Sequence, residues 1–359
     1  MKNTVWFAVV IALVATFLYG MAQLAGAATG PVMSISANGA LLEKDGAKFI
    51  PHGISIDTLE YYPGTYLSDN YTSTLSETEA QISSASTYWH ANAVRLQFEQ
   101  DLLVNSDNST NTAYRDVIEQ SVSYAQSLGL VVILSLQTEP GYDAPAASPA
   151  ELNEPMPTWK TSLAWEALEP GLNSSVLLDV FNEPRNAASW DAYKSAFQAQ
   201  VNYIRKWGYT NILVIQCLLG AWDQTGMFAS TGTFGPNEVF AFHHPPDSSS
   251  SWVTDVGNWA NQHPVLDDEW TNRSNGTNGN YACWTDAPTS VPAYLAYLKS
   301  KNVGILGWTT GQDANGNTFL NVRGSDSFST ANSYGSDYSC SLPTGQEGAG
   351  TDLLNYFGG

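Results

Sequence analysis

Charge is what this chain has least of. Asp, Glu, Lys and Arg make up 13% of its 359 residues, about half the ~25% of an ordinary globular protein. The deficit falls on the cations: 34 acidic residues face 14 Lys plus Arg, for a formal net charge of −20. Nucleic acid is thereby excluded as a partner, because phosphate binding draws on clustered Lys and Arg. In acid, only the 14 Lys and Arg and five His carry positive charge, roughly half that of an ordinary chain this long. Self-repulsion at low pH is correspondingly weak. A halophile raises acidic density, which this chain does not. The expectation is a protein that works in an acidic medium.

Cysteine is also scarce. Cys217, Cys283 and Cys340 fit no zinc spacing and no Cys-x-x-Cys motif, so neither a metal nor a redox pair is expected. Cys283 and Cys340 lie in polar, loop-like sequence and are the favoured disulfide pair if the chain is exported. Cys217 ends an apolar run and reads as a buried thiol. Long hydrophobic runs are confined to the amino terminus. Lys2, the apolar stretch 5–19 and Ala25-Gly26-Ala27 have the pattern of a secretory signal peptide over 1–28, leaving 29–359 as the mature chain. An uncleaved anchor is the competing reading and the one route to a membrane. Sequons at Asn70, Asn108, Asn173, Asn272 and Asn275 suit an extracellular surface. A secreted monomer is expected.

The mature chain repeats one theme: a short apolar run, a polar or Gly-rich loop, then a helical stretch. The runs are 49–54, 93–96, 130–136, 176–181, 212–215, 239–242, 264–266 and 303–308. Helical periodicity is clear at 113–128, 193–207 and 291–301, and 351–357 reads as a closing helix. Eight such alternations predict an α/β fold, a (β/α)8 barrel in one catalytic domain. An open doubly wound sheet is the alternative, but no Gly-x-Gly-x-x-Gly follows the first run, and no cofactor is expected. Residues 29–48, with turn signals at Asn38-Gly39 and Asp45-Gly46, predict a β-hairpin capping the bottom of the barrel. Segments 143–157 and 271–290 read as long loops on the catalytic face.

Catalytic side chains of such barrels sit at strand carboxyl ends. Those ends carry His52 and Ser55, Arg95, Gln137, Asn182 with Glu183, Gln216 and Cys217, His243 and His244, Glu269 with Trp270, and Trp308. The fourth end, Val-Phe-Asn-Glu-Pro at 180–184, and the seventh each supply a glutamate. Two such carboxylates, one protonated and one ionised, are what glycosidic bond cleavage requires.

Asn182-Glu183-Pro184 and Pro264-Val265-Leu266-Asp267-Asp268-Glu269-Trp270, in that order and at barrel spacing, resemble glycoside hydrolase family 5, the cellulase family. The resemblance spans nearly the whole mature chain from Pro51-His52-Gly53 onward. It implies that Glu183 is the acid/base and Glu269 the nucleophile, which Arg95 would keep ionised. It further implies that Asn182 hydrogen-bonds the sugar 2-hydroxyl, that His243 stands beside the acid/base, and that Trp308 floors the reacting sugar. Two positions depart from the family: Gln137 replaces a strand-three histidine, and Pro245 replaces the tyrosine that supports the nucleophile. Either another tyrosine substitutes or catalysis is weaker.

Plainer readings apply elsewhere. Strand alternation turns Asp268 away from the face of Glu269, so Asp267 and Asp268 read as packing or supporting residues. Asp179 reads as a paired interior carboxylate. His243 and His244 point to opposite faces, with no third ligand evident, which argues against a metal. Ser55 lacks a nucleophile elbow. Tyr61, Tyr62, Trp159, Trp222 and Trp284 are loop aromatics, of which Trp222 is the first choice as a sugar platform. The expected activity is retaining hydrolysis of β-linked glucan, with β-1,4-glucan as leading substrate and a polysaccharide or oligosaccharide as partner. β-Mannanase, β-1,3-glucanase and exo-β-glucosidase activities share the constellation, and a non-catalytic carbohydrate-binding barrel is the other class.

Overall fold

Three strands come first: β1 (Met33–Ile35), β2 (Leu42–Lys44) and β3 (Ala47–Lys48), joined antiparallel in that order. The computed structural model describes residues 31–36, 39–61, 71–138, 156–185, 187–221, 233–243, 252–271, 273–275, 281–283, 287–311, 319–321, 327–332 and 348–358. The single expected hairpin is therefore two in succession, one at each turn signal. Asp45 and Gly46 adopt φ of 53° and 75°, the left-handed pair that lets two residues reverse a strand.

Eight parallel strands then close on themselves. They are β4 (His52–Ile56), β5 (Ala93–Glu99), β6 (Val131–Gln137), β7 (Leu177–Asp179), β8 (Leu213–Gln216), β9 (Glu238–Phe242), β10 (Val265–Trp270) and β13 (Gly304–Trp308). Neighbours pair in chain order, and β13 returns to β4. Every apolar run of the sequence lies on one of these strands. The ends move where polar residues continue the ladder: β5 runs on through Gln97 and Glu99, paired with Ser135 and Gln137 of β6. The barrel is closed so tightly that a Cβ on Gly53 of β4 would stand 1.8 Å from the Ala93 carbonyl oxygen of β5.

Period-2 alternation sorts the strand side chains into two apolar clusters. Val94, Leu96 and Phe98 of β5 and Val132, Leu134 and Leu136 of β6 join the larger cluster, under the helices. Ala93, Val131, Ile133, Leu177, Val214, Val239, Ala241, Leu266 and Leu306 form the smaller one, inside the barrel. Leu42 belongs to it, and Met33, Ile35 and Phe49 pack against it, so the amino-terminal sheet caps the lower mouth. Outside stand the helices Thr72–Thr87, Thr112–Ser127, Trp159–Leu168, Trp190–Lys206, Ala287–Lys301 and Ala349–Gly358. Trp190–Lys206 illustrates their logic. Ser189 Oγ accepts from Ala192 N, Asp191 lies in the first turn and Arg205 and Lys206 in the last, each matched to the helix dipole. Its Tyr193, Phe197, Val201 and Ile204 face the barrel.

Segment 271–290, expected as a loop, contains an antiparallel pair, β11 (Arg273–Asn275) with β12 (Tyr281–Cys283). Its polar residues give no alternation to read, since backbone hydrogen bonds alone carry so short a ladder. Cys217 is buried, as expected. Residues 1–28, segment 143–155 and Cys340 lie outside the described residues. Among the described residues no helix is long and apolar enough to cross a membrane.

Candidate active site

Above the apolar plug, the same inward parity turns polar: Ala93 is followed two residues later by Arg95, Leu177 by Asp179, Val214 by Gln216 and Ala241 by His243. Arg95 is fully buried and is the hub. Its Nη1 donates to Glu269 Oε1 at 2.5 Å and to Ser55 Oγ at 3.2 Å. Nη2 donates to Asp179 Oδ2 at 2.8 Å and to Asn182 Oδ1 at 2.6 Å. Nε lies 3.2 Å from both Asp179 Oδ2 and Asp268 Oδ2. The planar guanidinium serves several acceptors at once, as a lysine could not. Burial opposes its charge, but Asp268, Glu269 and Asp179 outweigh burial and hold the charge more firmly than usual. Asp179 also accepts from Ser135 Oγ at 2.7 Å and Gln216 Nε2 at 3.0 Å. Burial nevertheless pushes its carboxyl above the usual range, against the pull of Arg95. Asp268 goes the other way: burial is overcome by Arg95 and His243, and its carboxyl is held below the usual range.

Glu183 follows the end of β7 with φ at +42°, a left-handed backbone that costs a non-glycine residue roughly 1–2 kcal/mol. Its neighbour anchors the turn. Asn182 N donates to the Leu136 carbonyl at 2.9 Å, and its Oδ1 accepts from Arg95. Arginine has no acceptor, so that contact fixes the amide with Nδ2 left for another partner. His243 stands between the two glutamates, its Nδ1 3.1 Å from Glu183 Oε1 and 3.3 Å from Glu269 Oε2. Its Nε2 is 3.3 Å from Asp268 Oδ1. Burial opposes a charge on this ring too, but Glu269 and Asp268 raise its pKa above the ordinary histidine value. Gln97 Nε2 donates to Glu269 Oε1, and Arg185 pairs with Glu183 Oε2.

The sequence-predicted Arg95, Asn182, Glu183, His243 and Glu269 are thus brought together. Gln137 is buried, and its amide donates to Ser135 Oγ at 3.0 Å, which ties it to the Asp179 network through Ser135. Trp308 is half-buried at the end of β13, stacked on Phe319 with ring centroids 5.1 Å apart. Trp222, His244 and Pro245 lie outside the described residues. Tyr62 and Trp284 do too, whereas Trp159 is 62% exposed at the start of its helix.

Asp268 requires a correction. Its side chain is not turned away but enters the barrel beside Glu269. The pairing of β10 with β13 slips between Asp267 and Trp270, and this irregularity lets two successive residues face inward. Asp267 takes the outward place, accepting from Tyr294 Oη at 3.0 Å, and burial raises its pKa well above the usual value. Among the described residues Glu269 is held by Arg95, Gln97 and His243, with no tyrosine on it. Gln97 was missed, although its parity with Arg95 along a buried strand marks it as inward-facing. Arg185 was missed too; its signal was a rare cation two residues from Glu183.

Glu183, His243 and Glu269 also correct the expectation that no third metal ligand is at hand. Each offers one donor atom, and these atoms lie within 4.8 Å of one another. Such a trio could hold an ion. With Nδ1 directed at two carboxylates and Glu269 already accepting from Arg95 and Gln97, it equally suits proton transfer.

The sequence model of the cellulase family, glycosyl hydrolase family 5, matches residues 45–314. The chain belongs to glycosyl hydrolase family 5. Similar solved structures repeat the fold. A β-glucanase from Saccharophagus degradans in complex with cellotetraose has a TM-score of 0.60 at 16% identity, over 92% of this chain and 93% of that one. An endoglucanase catalytic domain from Thermobifida fusca has a TM-score of 0.60 at 14% identity, over 91% and 97%. A β-mannanase from Thermomonospora fusca has a TM-score of 0.57 at 20% identity, over 81% and 88%. Comparison with curated protein sequences finds no match. For this family 5 chain the matched segment contains every strand of the barrel and both glutamates.

Proposed function

We propose that this family 5 glycoside hydrolase is a secreted enzyme that cleaves β-1,4-glucan with retention of configuration. The observation that carries the reading is the convergence of Glu183 and Glu269 on His243, with donor atoms within 4.8 Å. A retaining pair stands about 5–5.5 Å apart, whereas an inverting pair must leave room for water at about 6.5 Å or more.

Glu183, held by Arg185 and His243 at the rim, is the acid/base. Glu269, facing three donors, is the nucleophile. In the first step Glu269 attacks the anomeric carbon. The glycosidic C–O bond breaks, and its electron pair goes to the leaving oxygen, which takes the Glu183 proton. In the second step Glu183 removes a proton from water as the water oxygen bonds to the anomeric carbon. The ester bond breaks, and its electron pair returns to Glu269. Asn182 contributes its free amide to the sugar 2-hydroxyl, and Trp308 provides an apolar floor.

Glucan is favoured over mannan by the cellulase family match and by the cellotetraose bound to a structural relative. Secretion is supported by the amino-terminal sequence pattern. Proton NMR of hydrolysis in progress tests the reading. Retention releases the β-anomer first; release of the α-anomer would sink it. A parallel screen on cellulose, mannan, xylan and mixed-linkage glucan separates the substrates, and binding without release from any of them would favour a non-catalytic barrel.

A further inference from the structure

We propose that Gln97 is a positioning residue for the nucleophile: together with Arg95 it pins Oε1 of Glu269, so that Oε2 is the oxygen that attacks the sugar. The inference rests on the retaining reading above and adds to it a neutral donor with its own task.

Gln97 stands on β5 two residues past Arg95, so strand alternation sends both side chains into the barrel. It is 2% exposed, and its Nε2 donates to Glu269 Oε1. A carboxylate oxygen takes only donors, so the contact fixes which end of the amide faces Glu269. The same oxygen accepts from Arg95 Nη1 at 2.5 Å. Each carboxylate oxygen offers two lone-pair sites, and on Oε1 both are engaged. Among the described residues Oε2 faces only His243 Nδ1, at 3.3 Å. It therefore keeps a lone pair for the anomeric carbon, whereas Oε1 would have to break a hydrogen bond to attack.

The two donors do different work. Arg95 also serves Ser55, Asp179 and Asn182, so its place is set by the whole network. Gln97 has one described side-chain hydrogen bond, and that bond is to Glu269. Its Oε1 is buried and accepts from none of the described residues. A buried acceptor left unmade is costly, so packing alone would favour an apolar side chain here. One hydrogen bond lets a carboxylate swing about the contact; a second donor on the same oxygen removes the swing. In the first step Oε2 bonds to the anomeric carbon and Oε1 becomes the carbonyl oxygen of the ester. Charge leaves Glu269, which weakens a contact that depends on charge more than one that does not. Gln97 is neutral and keeps its hold in both states. When the ester breaks, the electron pair returns to a carboxylate that has not moved.

The test is Gln97→Met in the full chain, which keeps the length of the side chain and removes the donor. The probe is a 2-deoxy-2-fluoro-β-cellobioside with a dinitrophenolate leaving group, or the matching mannobioside if the glycan screen selects mannan. Glu269 Oε2 bonds to the anomeric carbon as the glycosidic C–O bond breaks. The electron pair departs on dinitrophenolate, which needs no proton from Glu183. The wild type should gain the mass of one glycosyl group. In Gln97→Met the saturating rate of that gain should fall roughly 10–100-fold, the worth of one hydrogen bond to a charged group, with the half-saturating concentration little changed. An unchanged rate overturns the proposal. So does a loss seen on natural glycan that vanishes on this probe, because it would assign Gln97 to the acid/base. Phe98→Leu, on the outer face of the same strand, is the control for disturbance of β5, and an equal loss there overturns the proposal too. A wild type that hydrolyses glycan but takes up no label sinks the retaining reading instead. A crystal structure of unliganded Gln97→Met does not depend on that reading. Its Glu269 carboxylate should be turned or divided between two orientations, and one that stays in place overturns the proposal. Gln97→Leu serves in every assay if the Met variant does not fold.

Discussion

The two halves of the barrel interior share strands, twist and parity, yet they are built from opposite materials. The lower half is filled by Ala93, Val131, Ile133, Leu177, Val214, Val239, Ala241, Leu266 and Leu306. One inward step up the same strands stand Arg95, Asp179, Gln216, His243 and Asp268. The lower half needs no particular partner for any side chain, because apolar burial is non-directional. The upper half depends on partners throughout: a single unpaired carboxylate there would cost several kcal/mol. Stability should therefore tolerate size changes badly below and charge changes badly above, and only the upper half should answer to activity.

Four substitutions would sharpen or break that contrast. Glu269→Ala should lower sugar release by roughly four orders of magnitude, as removal of a covalent nucleophile does, with the circular dichroism spectrum unchanged. Activity within tenfold of wild type would remove Glu269 from the mechanism. Arg95→Met leaves three buried carboxylates without their cation and should cost about 3–5 kcal/mol in denaturant unfolding. The loss should shrink in acid as those groups take up protons. Leu177→Ala, in the lower half, should cost about 2–5 kcal/mol while each folded molecule keeps its wild-type turnover.

Glu238 carries the smallest effect. It begins β9 and is buried, accepting from Phe234 N at 3.0 Å. Burial lifts its pKa from 4.5 to about 7, against the backbone donors and Arg205. A carboxyl whose folded pKa is raised favours folding when protonated. Its contribution is complete below pH 4.5 and is lost as pH rises to about 7, at most roughly 3 kcal/mol. Glu238→Gln should flatten the fall in melting temperature across that window. Buried Asp179 and Asp267, with carboxyls also pushed up, lean the same way.

The eight strands were legible because each is buried on both faces and reads as an unbroken apolar run. Their carboxyl ends followed, and with them Arg95, Asn182, Glu183, His243 and Glu269. Parity then carried a wrong conclusion at Asp268. Alternation counted backward from Glu269 turns it outward, while the slip opposite β13 turns it in. No local run of hydrophobicity encodes such a slip. Counted upward from Leu266, the same rule puts Asp268 inside, so the choice of reference residue decided the answer. Gln97 was readable by that rule from Arg95. The β11–β12 pair was not, since nothing in its side chains alternates.

The apolar plug has one more consequence. With its floor filled and the amino-terminal sheet beneath, the barrel is closed at its lower end. Under the proposed double displacement, the water that frees the sugar from Glu269 must arrive by the way the first product left. A second sugar resting in that passage both shuts out water and offers a hydroxyl of its own. Concentrated oligosaccharides would then be joined as well as cut, a synthetic habit imposed on a hydrolase by nine apolar side chains far below its catalytic glutamates.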